Sequence, residues 1–288
     1  MIYLFLAILG SGLIPVLFRA FQDWRVNVFW AIPVNYLICV VVGAFWGGQT
    51  LNLLKIAAQS WLWLALLQGV ILAVNFFLLA YTAQRAGVSV AALASRLSVA
   101  IPAILAFAIY GDSANLMKLI GLAAALLSLY LCTKSEGRVS LHRSLAITFL
   151  PVLVFLTFGC YFTIIKYAQV HYLNEASYHS YVMSGFFCAW LTSLSICLAK
   201  GALTIKELRL KHVAGGVLLG LVNYIAVYAL IKMLALKGWQ SSQLYPIYSV
   251  GVVAVSTGLA VMLFQEKLSR TRKVGLIVGL IAVALLNR

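Results

Sequence analysis

The chain has 288 residues, of which 64% are hydrophobic and 9% charged, with a net charge of +15 and a mean hydropathy of +1.03. So little charge cannot cover a water-facing surface, which excludes a soluble globular domain and points to a protein that faces lipid. The cations stand singly or in short clusters between apolar runs, so the excess is that of membrane loops and calls for no nucleic acid as a partner.

Hydrocarbon offers no water to backbone groups, and a run of roughly 20 apolar residues crosses it as a helix. The alternating polarity of a membrane strand is absent. In chain order the pattern predicts ten spans, at 2–21, 27–46, 60–84, 88–110, 115–133, 145–168, 177–199, 212–236, 241–263 and 272–287. The first has no basic leader or small-residue cleavage site and is expected to be retained. Short polar breaks separate the spans, and the break at 134–144 divides them into five and five. Cys39, Cys132, Cys160, Cys188 and Cys197 all fall in or at the ends of apolar runs without a CxxC pair, so disulfides and metal sites are not expected.

The two halves share phrases. "GLIPVLFR" (Gly12–Arg19) in the first span matches "GCYFTIIK" (Gly159–Lys166) in the sixth, and "GDSANLMKLIG" (Gly111–Gly121) matches "QEKLSRTRKVG" (Gln265–Gly275). In the second pair an acid, Asp112 or Glu266, stands nine residues before a glycine that opens the next helix. The fourth and ninth spans both start just after a glycine, Gly87 and Gly238. An odd number of helices per half turns the second copy upside down, as in inverted-repeat transporters. The expected fold is therefore an all-α integral membrane protein with ten transmembrane helices in a 5+5 inverted repeat, residues 1–138 and 139–288.

With these phrases the chain resembles the drug/metabolite transporter superfamily, in its ten-helix EamA-like branch. Tyr245–Leu286 is the most specific stretch, with its proline, its acid–cation–Leu–Ser joint and its spaced glycines. The resemblance implies a 5+5 fold, carriage of small metabolites by alternating access, and a central cavity ringed by helices 1, 3, 4, 6, 8 and 9. It leaves the substrate open.

Odd-numbered loops carry thirteen basic residues, and even-numbered loops with the C-terminus carry four, Lys55, Lys118, Lys237 and Arg288. Positive charge collects in the cytoplasm, so both termini are expected outside. Members of the resembled family are usually drawn with termini inside. The expected location is a cell membrane, multi-pass, of the bacterial inner-membrane kind.

Asp23, Asp112, Glu136, Glu175, Glu207 and Glu266 all lie in loops or at span ends. A proton-coupled cation exporter usually needs a deep carboxylate, so that mechanism is disfavoured. Arg19, Lys166 and Lys232 stand near span ends and are expected to reach for headgroups. Arg96 differs, eight residues into the fourth span and about 12 Å deep in a layer of about 30 Å. A charge there is costly and faces an interior cavity. Its two readings are an anchor for an acidic solute group and a cation bonded only to carbonyls or tyrosine hydroxyls.

Gln68, Asn75 and Thr82 recur every seventh residue on one face of helix 3. Tyr161 lies on helix 6, Tyr224 and Tyr228 on helix 8, and Ser241, Tyr245 and Tyr248 on helix 9. Such groups can merely pin helices together, at about 0.6 kcal/mol per bond. Tyr3, Tyr172, Trp24, Trp46 and Trp61 read as interface anchors, and His171 and His179 as exposed loop-side groups. Pro102 and Pro246 are expected to kink helices 4 and 9.

No catalytic set, metal cluster or phosphate loop is present in the pattern. The expected activity is carriage of a small polar organic metabolite, anionic or zwitterionic, such as an amino acid or a phosphorylated compound. Substrate-binding candidates are Arg96, Asn75, Tyr161, Tyr224, Tyr228, Tyr245 and Tyr248, with no cofactor. The alternatives are a quaternary-ammonium or other cationic solute held in a tyrosine-rich cage, and a membrane-embedded lipid enzyme. Partners are a small-molecule substrate, the bilayer, and a coupling ion or counter-substrate, with the chain a monomer or homodimer.

Overall fold

The computed structural model describes residues 1–46, 56–85, 94–109, 116–133, 145–201, 209–265 and 270–286. Among them the regular elements are helices: α1 Ile2–Asp23, α2 Val28–Trp46, α3 Leu62–Arg85, α4 Ala100–Ile109, α5 Leu116–Thr133, α6 Leu145–His171, α7 Tyr178–Ala199, α8 Leu210–Leu234, α9 Ser241–Phe264 and α10 Arg270–Leu286. Seven (α1, α2, α3, α6, α7, α8 and α9) are long and apolar enough to cross a membrane, and shorter apolar segments occupy Ala94–Leu105, Leu119–Leu131 and Lys273–Ala282. Large apolar side chains lie on the outside, Phe45 at 84% and Met262 at 78% exposure. In water such a surface would aggregate, whereas in lipid it is the solvated face. The molecule is a multi-pass helical membrane protein.

The fourth predicted span is where structure and pattern part. Residues 94–97 form a helical turn, Ser98 and Val99 interrupt it, and α4 begins at Ala100. Pro102 supplies the reason: it has no N–H for the Ser98 carbonyl and its ring presses on that carbonyl. Ser98 O accepts instead from Ile101 N at 3.0 Å. The predicted kink is thus a break, and Arg96 sits on the short turn before it. Pro246, by contrast, is accommodated inside an unbroken α9.

The helices gather into two compact units, Met1–Val74 with Ile164–Ala235, and Asn75–Thr163 with Leu236–Arg288. Each unit draws helices from both sequence halves, and α3 and α6 each contribute to both units.

In the first unit α8 packs on α1, α2 and α7, and α2 packs on α7. Lipid gives helices no hydrophobic reason to associate, so small residues and buried polar pairs must do it. Gly216 and Gly220 supply the close approach. A Cβ on Gly220 would stand 2.7 Å from both Asn35 O and Ile38 Cβ. Beside it Asn223 Nδ2 donates to Asn35 Oδ1 at 3.1 Å, and Cys39 Sγ to Gly220 O at 3.2 Å. The end of α1 is closed by Val26 N donating to Phe21 O and Arg25 N to Gln22 O. Arg25 takes the left-handed position, φ 52°, normally given to glycine.

In the second unit α5 packs on α10, and α9 on α4, α5 and α10. Ala125, Leu129, Val250, Val253 and Ala282 make its core. Ser128 Oγ donates to Gly275 O at 2.7 Å, so one glycine of the repeated joint serves as a helix contact. Its matched acids Asp112 and Glu266, and Gly87, lie outside the described residues.

Candidate functional site

Five of the seven predicted binding residues, Asn75, Arg96, Tyr161, Tyr245 and Tyr248, belong to the second unit. They converge on one stretch of α6. The start of α9 is fixed by a capping box between Gln240 and Gln243, which sets Tyr245 and Tyr248, three residues apart, on one face. Tyr245 Oη donates to the Phe162 carbonyl at 2.6 Å. The Phe162 ring meets Tyr161 at 5.3 Å, Tyr245 at 5.9 Å and Tyr248 at 6.3 Å, all edge-on. The Arg96 guanidinium reaches Tyr248 as a hydrogen-bond donor. Among the described residues no carboxylate pairs with Arg96. Asn75, at zero exposure, donates its Nδ2 to Thr157 O at 3.5 Å, five residues before Phe162, and its Oδ1 is unpartnered.

A planar donor fork, a row of phenol rings and an unpaired amide oxygen can together hold an acidic group, an apolar body and an N–H. The face of α3 predicted from the seven-residue spacing is consistent with this. Gln68 Oε1 and Thr82 Oγ1 are buried and unpartnered as well. Buried acceptors left without donors cost stability; Gln68 belongs to the first unit, Asn75 and Thr82 to the second.

Tyr224 and Tyr228 lie in the first unit, four residues apart on α8, with rings 6° from parallel. His179 of α7, read from sequence as exposed, is instead half-buried on these rings. It stacks on Tyr228 at 4.2 Å and shares a 2.7 Å hydrogen bond between Nδ1 and the Tyr224 hydroxyl. The hydroxyl donates when Nδ1 is unprotonated. Phe186, 6.3 Å from Tyr224, and Tyr36, 6.0 Å from Phe186, continue the aromatic row.

Two further expectations need correction, and one residue was missed. Lys166 does not reach for headgroups: it is buried, and its Nζ donates to Leu234 O at 3.2 Å and Gln169 Oε1 at 2.8 Å. Trp61 is no interface anchor at 2% exposure, because its ring packs edge-on against Tyr181 at 5.7 Å. Phe162 is central to the second unit's cluster, yet an apolar residue type gave no sign of it. Its one signal was its place beside Tyr161 in the repeated phrase. Arg19 is exposed as expected, paired with Asp23 at 3.1 Å. Among the described residues no three His, Cys, Asp or Glu side chains gather to hold a metal ion.

Apolar helices that bury polar, aromatic and cationic side chains define a polytopic membrane protein. Residues 1–134 match the model of the EamA-like transporter family, within the drug/metabolite transporter superfamily that the sequence phrases resemble. An uncharacterized protein of Haemophilus influenzae is 25% identical over 291 residues, covering 97% of this chain and 95% of its own. A crystal structure matches with a TM-score of 0.76 at 15% identity, over 99% of this chain and 94% of that one. At that identity the likeness is one of fold alone.

Proposed function

We propose that the protein is an alternating-access secondary carrier of a small polar organic metabolite, anionic or zwitterionic, such as an amino acid or a phosphorylated compound. Its ten spans form two inverted five-helix repeats, 1–138 and 139–288, in a bacterial inner membrane with both termini outside. The family match over the first half and the phrases repeated in the second support that architecture.

The observation that carries the substrate class is Arg96, placed on a broken helix beside Tyr248 and, among the described residues, paired with no carboxylate. A guanidinium presents parallel donors that match a carboxylate or phosphate. The Asn75 amide oxygen and the rings of Tyr161, Tyr245 and Tyr248 would then bind the rest of the solute. The test is a thermal-shift series with acidic, zwitterionic and quaternary-ammonium solutes on the wild type and Arg96→Gln. Acidic or zwitterionic solutes should stabilise the wild type and not the variant. Stabilisation by quaternary ammonium compounds alone would replace this reading with the tyrosine cage.

A further inference from the structure

Lys232 lies in the last turn of α8, one turn beyond Tyr228. Its Nζ stands 5.0 Å from the centre of the Tyr178 ring, 5.7 Å from that of Tyr3, and 3.2 Å from Glu175 Oε1. The two members of the ion pair are unlike. The Lys232 side chain is 12% exposed and that of Glu175 89%. The short connection that carries Glu175 is itself fixed, because Asn174 N donates to Ser177 Oγ at 2.8 Å and Ser177 N to Asn174 Oδ1 at 3.0 Å. Among the described residues Glu175 has Lys232 as its hydrogen-bond partner and no other.

Aromatic faces stabilise an ammonium but accept little from its N–H donors. An oxygen must therefore come from the solvent side, and here a side chain almost wholly in water provides it. A pair with one member so exposed is held weakly. A carboxylate in solution can take the place of Glu175 and satisfy the same donors.

We infer that Lys232, Tyr178 and Tyr3 form a carboxylate-binding subsite of the first unit, and that Glu175 is its displaceable resident. The ligand is a small organic monocarboxylate whose apolar or aromatic body lies against the two tyrosine rings. The subsite is separate from the Arg96 cluster, uses none of its residues, and stands or falls independently of the substrate proposed there.

Sodium benzoate is the probe, titrated by ligand-observed NMR into the full-length protein in phosphatidylcholine nanodiscs, which offer no anionic headgroup. Titrations on the wild type and on Arg96→Gln separate benzoate held at Arg96 from benzoate held at Lys232. The expected result is a binding component that survives Arg96→Gln, disappears in Lys232→Gln and persists in Lys232→Arg. Glu175→Gln tightens it roughly two- to fivefold, the weight an exposed ion pair carries. A structural tether predicts the reverse, a weaker fold and no gain in binding. The inference is overturned if Glu175→Gln leaves benzoate affinity unchanged or lowers it. It is overturned equally if Lys232→Gln, folded by its unfolding transition, binds as the wild type does, or if tetramethylammonium binds more tightly than benzoate. Should Lys232→Gln fail to fold, the Glu175→Gln titration decides alone.

Discussion

Gly220→Ala tests the helix contact on which the first unit is built. The new Cβ would lie 2.7 Å from Ile38 Cβ and 2.7 Å from the Asn35 carbonyl oxygen. Two carbons need about 3.5 Å, so α2 and α8 must separate by about 0.8 Å. One obstacle is backbone and cannot turn aside, which places the cost near the top of the ~1–3 kcal/mol range for overpacking. Alanine regains ~0.5–1 kcal/mol over glycine in a helix. The net loss is then about 2 kcal/mol, a factor of roughly 30 in the folding equilibrium. Equilibrium unfolding in mixed micelles measures it. Gly258→Ala on α9, with nothing within 4 Å of the added carbon, is the control and should be neutral or stabilising. Gly220→Ala within ~0.5 kcal/mol of the wild type would refute the close-packing argument.

Asn75→Leu removes an unpaired buried oxygen and one long hydrogen bond. Stability should change by no more than about 0.6 kcal/mol while solute-induced thermal stabilisation is lost; a loss above that, in unfolding titrations, would make Asn75 structural. Tyr245→Phe deletes the 2.6 Å bond to the Phe162 carbonyl and should cost about 0.6 kcal/mol, at most ~1.7, in the same assay. A double-mutant cycle of His179→Ala with Tyr224→Phe should give a coupling energy of either sign above ~0.5 kcal/mol, since the two side chains share a bond. Additive losses would contradict that contact. A C-terminal fluorescent fusion should be dark in the cytoplasm, and a bright one would reverse the proposed orientation.

Much of the helical pattern was legible because lipid imposes it. Nine of the ten predicted runs end within three residues of the observed helices. The tyrosine pairs and the Gln68–Asn75–Thr82 face followed from helical periodicity alone. What was not legible depends on a partner distant in the chain. His179 is half-buried against Tyr228 and Trp61 buried against Tyr181, and Lys166 is drawn inward by a carbonyl of α8. None of these pairings leaves a trace in local hydropathy. The break before Ala100 had a visible cause in Pro102, but Pro246 shows that a proline alone does not decide between kink, break and accommodation. The grouping of α3 and α6 into both compact units likewise has no mark in composition.

The most direct measurement is solute flux into liposomes reconstituted with the wild type and with Arg96→Gln. Acidic, zwitterionic and quaternary-ammonium solutes are each offered at rising concentration. Saturable flux of an acidic or zwitterionic solute by the wild type, falling at least tenfold in a folded Arg96→Gln, is the predicted result; tenfold corresponds to about 1.4 kcal/mol, just under the ~1.5–3 kcal/mol range of a charged hydrogen bond. Unchanged flux in the variant, or flux confined to cations, contradicts it.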